Sequence, residues 1–203
     1  MQKRLLKKNL REFELHALQQ GFSYIAGVDE VGRGCLAGPV VAACVILPWQ
    51  EDFEGVDDSK KLSPGQREKM FPLIMARALA VGVGMVSPDE IDRINILQAS
   101  LKAMRIAVEA LKVKADFVLV DGKQSIPLLT LPQKAFPKAD CLSVSVAAAS
   151  IIAKVTRDRL MVQLAKQFPG FSFDRHKGYG TQKHMEELAK HGPTELHRRT
   201  FLS

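Results

Sequence analysis

The hydrophobic pattern of the chain divides into two kinds of segment. Short apolar runs rich in β-branched residues predict strands at residues 24–28, 40–47 and 81–86, in a run ending at Asp121, and at 133–136. Apolar residues three and four positions apart predict helices at about 4–19, 64–79, 88–112, 142–168 and 181–191. The first two strands are close in sequence, which favours an antiparallel pair. We therefore expect an α/β or α+β sheet with helices packed on it.

The length of the chain suits one domain. Its 203 residues are enough for one sizeable core, and no segment has the composition of an interdomain linker. We expect a single domain over 1–203. Its first 20 residues would form a peripheral helix, and a helical segment would cover about 170–203.

Charge and cysteine content narrow the possible function classes. Lys and Arg number 29 against 22 Asp and Glu, and this net charge of +7 suits polyanionic partners such as nucleic acid. The three cysteines, Cys35, Cys44 and Cys141, are too few and too irregularly spaced for a disulfide framework or a Cys-x-x-Cys metal site. No secretory leader and no run of about 20 apolar residues is found. We expect a cytoplasmic protein whose cysteines are small buried residues.

Two acids stand side by side in the stretch VDEVGRG, where Asp29 and Glu30 follow an apolar run. Adjacent strand residues point to opposite faces, so the two carboxylates can share a site only if the strand ends or distorts there. The ordinary alternative is one acid in solvent and the other in a turn. A second apolar run, VLVDG, ends on Asp121, and open α/β sheets usually bind ligands at the C-terminal ends of their strands.

These strand-end acids suggest a divalent metal site. Carboxylates from distant parts of the chain can converge on one ion, and ligands that are all oxygen favour Mg²⁺ or Mn²⁺ over Zn²⁺. Asp140 is a candidate third contributor because it precedes a helix with the small residues SVAAAS at its start; its alternative role is an interaction with the helix dipole. His184 and His191 fall on a helix expected to be exposed, at a spacing with no zinc signature.

The glycine-rich stretch GRGCLAG follows the acid pair. It lacks the G-x-G-x-x-G spacing and is followed by a strand instead of a helix, which excludes a dinucleotide-binding loop. Glycines here favour close approach of the backbone to a ligand, with Arg33 at the rim of the site. A structural hairpin with an exposed arginine is the alternative.

Several motifs occur together in one order. They are GVDEVGRGCLAGPVVAA, DDSKKLS, INILQASLKAM, LVDG, SVAAASIIAKVTRD and a C-terminal HKGYGT followed by HRRTF, spread over about residues 22–201. In this order and spacing the chain resembles bacterial ribonuclease HII, a type 2 ribonuclease H. The resemblance implies a ribonuclease H-like fold, a central mixed five-stranded sheet flanked by helices.

The same resemblance implies a set of site residues. The catalytic and metal-binding carboxylates, around two Mg²⁺ or Mn²⁺ ions, would be Asp29, Glu30, Asp121 and Asp140. Recognition of the ribonucleotide 2′-hydroxyl and the RNA-to-DNA junction would belong to Gly32, Arg33, Gly34 and Tyr179. The 2′-hydroxyl distinguishes RNA from DNA at one position, so glycine backbones and a tyrosine close to the sugar suit this task. Lys60 matches a phosphate contact, and weaker phosphate candidates are Lys61, Lys154, Arg157 and Lys177.

The implied activity is endonucleolytic. The enzyme would hydrolyse the RNA strand of RNA/DNA hybrids and cut on the 5′ side of single ribonucleotides embedded in duplex DNA, leaving 5′-phosphate and 3′-hydroxyl ends. Its roles would be ribonucleotide removal and primer removal. We expect a monomer with nucleic-acid partners and no membrane partner, and docking of the tail HRRTFLS on a replication clamp stays open.

Two other functions are compatible with parts of the sequence. A nucleic-acid-binding module without catalysis fits the charge, but strand-end acids repel phosphate unless metal is present. A metal-dependent phosphatase acting on small phosphoesters fits the acids alone. Duplex cleavage distinguishes both from a nuclease.

Overall fold

A computed structural model describes residues 10–57 and 59–202. Five strands form one sheet, in the order β3-β2-β1-β4-β5. They are β1 (Ile25–Val31), β2 (Val40–Ile46), β3 (Ala80–Val86), β4 (Phe117–Asp121) and β5 (Gln133–Phe136). The β1–β2 and β2–β3 pairs are antiparallel, and the β1–β4 and β4–β5 pairs are parallel. The expected mixed five-stranded sheet and the antiparallel first pair are confirmed.

Six α-helices accompany the sheet in the described residues: α1 (Glu12–Gln19), α2 (Pro64–Arg77), α3 (Pro88–Glu109), α4 (Val144–Ala165), α5 (Phe173–His176) and α6 (Gln182–His191). The serine–proline starts of α2 and α3 act as predicted, because the hydroxyls of Ser63 and Ser87 accept hydrogen bonds from the first turn. The part of the leading helix predicted over 4–9 lies outside the described residues. No helix in the described ranges is long and apolar enough to cross a membrane.

The helix predicted over 88–112 is not continuous. Asn95 has a φ of 66°, in the left-handed region, and divides α3 into two helical parts. The side-chain oxygen of Asn95 accepts hydrogen bonds from the backbone of Leu97 at 3.0 Å and of Gln98 at 3.1 Å, as a helix N-cap does. Hydrophobic spacing alone predicted one helix here and was wrong, because a local side-chain cap replaced the backbone hydrogen bonds.

Helices cover both faces of the sheet at very close range. One core cluster joins β1 and β2 to α3, and a second joins β2 to α4 and α2. A Cβ placed on Gly27 of β1 would lie 2.2 Å from the backbone nitrogen of Val146 in α4. On the opposite face, a Cβ on Gly84 would lie 2.1 Å from the carbonyl oxygen of Ala103 in α3. Glycine at these positions lets helix and strand backbones touch.

The C-terminal segment packs on the outer part of α4. Phe171 and Phe173 lie with Met161 of α4 and with Ala37, which belongs to the loop between β1 and β2. The rings of Phe171 and Phe173 are stacked, with centroids 5.2 Å apart. This cluster brings the end of the chain next to the loop that follows the two adjacent acids.

The contact at Gly27 gives the first prediction. Gly27→Ala would force the α4 backbone away from β1, and we expect it to lower the free energy of unfolding by about 3 kcal/mol, the cost of severe overpacking. Gly65→Ala is the matched control. No atom lies within 4 Å of a Cβ at Gly65 in α2, so that change should be neutral or should stabilise the fold by up to about 1 kcal/mol. Urea unfolding of both variants measures the difference, and equal stability would contradict the backbone contact.

Candidate active site

Asp29 and Asp121 lie next to each other at the ends of two parallel strands. Strands β1 and β4 are paired up to Val28 and Val120, and the two acids occupy the next positions. Ile25 and Leu119 share a core cluster with Val146 of α4, so alternation along each strand places both acids on the α4 face. Asp29 is buried, and the backbone nitrogen of Glu30 donates to its Oδ1 at 2.7 Å.

Glu30 reaches the same region without any distortion of its strand. The pairing of β1 with β2 continues through both acids, with Asp29 opposite Ala43 and Glu30 opposite Ala42, so the distortion expected from the sequence is wrong. The site opens instead because β4 ends at Asp121. Glu30 and Asp121, the last residue of β4, both line a cleft of about 430 Å³ that also contacts α3.

Asp140 is held close to Asp121 by a short turn. A 3₁₀ turn covers Ala139–Cys141, and the backbone nitrogen of Ala139 donates to Asp121 Oδ1 at 2.8 Å. Asp140 is buried, and its Oδ2 lies 3.4 Å from Nζ of Lys60. The turn therefore connects the fourth predicted carboxylate to the third through one hydrogen bond.

The electrostatics of the site show that the four carboxylates influence one another. Burial, followed by the negative charges of Glu30, Asp121 and Asp140, raises the pKa of Asp29 well above its usual value. Burial also raises the pKa of Glu30, although the guanidinium of Arg33, 3.2 Å from Glu30 Oε1, opposes this shift. Negative charge is thus concentrated at the strand ends at a cost in free energy.

The donor set suits a hard divalent cation. The four side chains offer only carboxylate oxygens, which Mg²⁺ and Mn²⁺ prefer. Over residues 10–57 and 59–202, no three acidic, histidine or cysteine side chains are grouped closely enough to hold a metal ion in this arrangement. Arg33 and Lys60 each contact one of these acids in this arrangement. The chemistry of the donors fits the expected cation, which would compete with these two side chains for their acids.

The loop between β1 and β2 is fixed by two buried arginines. Arg198 donates to the carbonyl oxygens of Gly32, Arg33 and Gly38, at 2.6 to 3.1 Å. Arg157 donates to the carbonyl oxygens of Ala37, Pro39 and Lys177, at 2.8 to 3.0 Å. Both side chains are fully buried. Burial lowers the pKa of Arg198 to about 10, so its guanidinium stays charged at neutral pH.

The two glycines of the GRG motif have different surroundings. Gly32 has a φ of +93°, and a Cβ there would lie 2.3 Å from Nε of Arg157. Gly34 is exposed, and no atom lies within 4 Å of a Cβ built on it. Glycine is therefore required at position 32 by the backbone conformation and by the contact with Arg157. At position 34 the absence of a side chain leaves open space on the solvent side of the loop. Arg33 between them is exposed and paired with Glu30, in agreement with a position at the rim.

Tyr179 lies beside this loop. Residue Cys35 of the loop forms an antiparallel bridge with Tyr179, and the carbonyl of Gly178 accepts from the backbone of Leu36 at 2.8 Å. The Tyr179 side chain is 37% exposed, and burial together with the neighbouring Cys35 raises its pKa to about 12. The structure thus brings the GRG motif and Tyr179 together from positions about 145 residues apart in the chain.

The predicted phosphate-binding side chains have different environments. Lys60 is 79% exposed beside Asp140. Lys61 pairs with Asp57, and Lys154 with Asp158, while Lys177 donates to a backbone oxygen of its own short helix. Arg157 was wrong as a phosphate candidate because it is buried under the loop. The sequence could have indicated this burial, because apolar Ala153 and Met161 lie one helical turn before and after Arg157, on the same face of α4, and both are buried.

The sequence analysis missed some residues near the site and predicted the wrong environment for others. Nothing in the stretch HRRTF indicated that Arg198 is buried and holds the loop. His184 was expected on an exposed helix face and is fully buried, whereas His191 is exposed as expected. Among the cysteines, Cys35 and Cys44 are buried as predicted, and Cys141 is partly exposed.

The chain matches known proteins over nearly its whole length. A family model described as ribonuclease HII matches residues 26–203. Ribonuclease HII of Geobacter sulfurreducens is 55% identical over 190 residues, which cover 94% of this chain and 87% of that protein.

Solved structures show the same fold. Ribonuclease H2 from Pyrococcus horikoshii OT3 superposes with a TM-score of 0.71 at 31% identity, covering 88% of this chain and 93% of that one. The RNase HII chain of a complex with PCNA from Archaeoglobus fulgidus gives a TM-score of 0.69 at 30% identity, covering 87% and 94%. Bst-RNase HIII in complex with Mn²⁺ gives 0.70 at 21% identity, covering 92% and 69%, which supports the fold alone.

The geometry of the acids and of the loop held by two buried arginines is consistent with these sequence and structural similarities. The resemblance inferred from the motifs is confirmed, and the ribonuclease H-like fold with it. The nucleic-acid-binding module without catalysis and the small-molecule phosphatase are not supported. The chain belongs to the ribonuclease HII family and is an RNase H endonuclease.

Proposed function

We propose that this endonuclease cuts the RNA strand of RNA/DNA hybrids and also cuts on the 5′ side of single ribonucleotides in duplex DNA. The observation that carries the proposal is the placement of Asp29 and Asp121 at neighbouring positions of two parallel strands, where the β1–β4 pairing ends, with the loop that contains exposed Gly34 following β1. Products would carry 5′-phosphate and 3′-hydroxyl ends. Removal of misincorporated ribonucleotides and of RNA primers would follow from this specificity.

The four carboxylates Asp29, Glu30, Asp121 and Asp140 would hold two divalent ions, Mg²⁺ or Mn²⁺. When bound, such ions lower the pKa of a water and stabilise negative charge on a leaving oxygen. The chain supplies the fixed positions of the acids: the Glu30 nitrogen holds Asp29, and the Ala139 nitrogen holds Asp121. A family dependence on metal and the Mn²⁺ complex of Bst-RNase HIII support the choice of cation.

Recognition of the ribonucleotide would use the loop and Tyr179. The backbone around Gly34 has room for a sugar to approach, and the next residue, Cys35, forms a backbone bridge with partly exposed Tyr179. Arg157 and Arg198 would hold the loop in place through their hydrogen bonds to its carbonyl oxygens. The exposed amine of Lys60 would contact a phosphate that flanks the scissile bond.

The protein would act as a single domain and as a monomer on nucleic acid. Its N-terminal helix α1 would stay peripheral to catalysis, and the segment from about 170 to 203 would carry the junction-recognising tyrosine. Docking of the C-terminal tail on a replication clamp is a further proposal. It is supported by the archaeal RNase HII solved in complex with PCNA.

The metal-binding roles give the second prediction. Asp29→Asn and Asp121→Asn each remove a negative charge and keep the side-chain shape. Each should therefore lower kcat/KM on an RNA/DNA hybrid by more than about a hundredfold, since an interaction with the transition state is lost. Gel assays in Mg²⁺ and in Mn²⁺ measure the loss, and EDTA should abolish wild-type cleavage. Asp89→Asn is the control, because Asp89 is an exposed acid at the start of α3.

Activity of either site variant within about tenfold of wild type would contradict the assignment. All-DNA and all-RNA duplexes should stay uncut by the wild-type protein. Circular dichroism of each variant shows whether the fold is intact.

The third prediction concerns specificity. Tyr179→Ala removes the aromatic face beside the GRG motif and leaves the carboxylates untouched. Cleavage of a duplex with one embedded ribonucleotide should fall at least about tenfold more than cleavage of a long RNA/DNA hybrid. Tyr24→Ala, at the other tyrosine of the chain, should change neither rate by more than about twofold. Equal losses on both substrates, in a variant with an unchanged melting temperature, would assign Tyr179 to general binding.

A further inference from the structure

Three histidines form a buried group behind Tyr179. His176, His184 and His197 come from α5, from α6 and from the C-terminal segment, and each is at least nine-tenths buried. The rings of His176 and His184 are stacked with centroids 4.2 Å apart. Nε2 of His184 lies 3.0 Å from Nε2 of His197. None of these residues has a part in the metal site, and we refer to the three as the histidine group.

Hydrogen bonding fixes one proton on each ring. Nδ1 of His176 accepts from the backbone nitrogen of Gly178 at 3.1 Å, so its proton is on Nε2, which lies 3.0 Å from Glu187. Nδ1 of His197 accepts from the backbone nitrogen of Thr194 at 2.9 Å, so its Nε2 is protonated and donates to Nε2 of His184.

His184 is the last member of this chain of hydrogen bonds. Because its Nε2 accepts a hydrogen bond from Nε2–H of His197, its own proton is on Nδ1, which donates a hydrogen bond to the carbonyl oxygen of Tyr179 at 2.9 Å. Every ring nitrogen of the histidine group is therefore used, which leaves no lone pair for a metal ion.

The backbone next to Tyr179 is held from both sides by this group. His176 accepts from the nitrogen of Gly178, its carbonyl accepts from the nitrogen of Tyr179 at 2.9 Å, and His184 donates to the Tyr179 carbonyl. The backbone of Gly178 lies in close contact with the loop, since a Cβ built there would lie 2.2 Å from the Ala37 carbonyl oxygen. The two imidazoles therefore help to fix the backbone from which the Tyr179 ring projects.

An extra proton cannot be accommodated in this arrangement. Each unprotonated ring nitrogen faces an N–H group at about 3 Å, so a second proton would set two donors against each other. Burial lowers the pKa of His184, and burial together with His184 lowers the pKa of His197 to about 4. The neutral ring of His197 thus contributes stability that is complete above about pH 6.5 and is lost as the pH falls toward 4, and the neutral ring of His184 contributes in the same direction.

The charged groups around the histidine group offset an added proton only in part, because burial lowers the pKa of His184 more strongly than the negative charge of Glu187 raises it. Glu187 is the acid in contact with it, and that carboxylate already accepts from His176 and from Ser172. Lys183 lies 3.8 Å from the same carboxylate. The other charged side chains near these rings or near Tyr179, from α4 and the C-terminal segment, are Lys154, Arg157, Asp158, Arg198 and Arg199. Four of these five are cations.

We propose that His184 is a positioning residue for Tyr179, that it acts only as a neutral imidazole, and that acid releases Tyr179 from its orientation. The inference rests on the proposed role of Tyr179 in junction recognition only for its effect on cleavage. The predicted consequence is a loss of single-ribonucleotide cleavage in acid that exceeds the loss on long hybrids. The carboxylates of the metal site also titrate in acid, but they affect both substrates, so the ratio of the two rates reports on Tyr179.

The fourth prediction uses a probe that does not depend on cleavage. The chain has two tyrosines, so 3-fluorotyrosine labelling gives two ¹⁹F resonances, and Tyr179→Phe assigns one of them. We expect the Tyr179 resonance to shift between about pH 6.5 and 4, before global unfolding, while the Tyr24 resonance stays constant. The step should be absent in His184→Asn, whose amide can donate to the Tyr179 carbonyl but takes up no proton in this range. A flat Tyr179 resonance in wild type, or the same step in His184→Asn, would overturn the proposal.

Cleavage then tests the functional part. His184→Phe keeps a ring but removes the donor, so the ratio of single-ribonucleotide to hybrid cleavage should fall about tenfold at pH 8. His184→Asn should keep the ratio within about threefold of wild type and flatten its fall in acid. His191→Asn, the same change at an exposed position of α6, should match wild type throughout. A ratio unchanged by His184→Phe would overturn the positioning role, whereas a ratio unchanged by Tyr179→Ala would overturn the proposed junction role and leave the ¹⁹F result standing.

Discussion

Mutual repulsion among carboxylates at the ends of β1 and β4 is the constraint on which the site depends. Asp29 is buried with three other acids near it, and both burial and repulsion disfavour its charge. The fold opposes this cost with the packing of α4 on Gly27, with the hydrogen bond from Glu30, and with the turn that ties Asp121 to Ala139. A divalent cation bound at these acids, as proposed above, would supply the positive charge that opposes this repulsion.

The loop next to these acids covers two buried positive charges. Arg157 and Arg198 are buried without a carboxylate in hydrogen-bond contact among the described residues, and the carbonyl oxygens of the loop satisfy their donors. Buried cations without a paired anion are costly unless an anion comes near. The site therefore combines negative charge at the strand ends with positive charge buried under the adjoining loop.

Much of the fold could be predicted from local pattern. The strand at Gln133–Phe136 was predicted at its observed bounds, and the serine–proline starts of two helices were visible as caps. Asn95 was missed because a single left-handed residue does not disturb hydrophobic spacing. The sequence placed both acids near the ends of strands. That β4 ends at Asp121 while β1 continues to Val31 is a matter of sheet register, which depends on contacts distant in the chain.

The groups that hold the recognition loop were the least predictable part of the site. Arg157 was predicted to be a surface cation from its charge alone, although it lies on the helix face that is buried. His184 lies in a helix whose sequence is mostly polar, and its burial depends on His176 and His197 from other segments. Polar groups that satisfy one another inside the fold leave no hydrophobic pattern, so only the assembled structure shows them.

Metal binding to the strand-end acids can be measured by thermal unfolding of wild type and Asp29→Asn with and without Mn²⁺. In the absence of metal the variant should melt above wild type, because a buried charge is removed while the acceptor for the Glu30 nitrogen is kept. Mn²⁺ at about 100 times its Kd should raise the wild-type Tm by about 5 °C or more, and should raise that of the variant far less. Equal rises in both proteins, or none in wild type, would show that these carboxylates do not form the metal site.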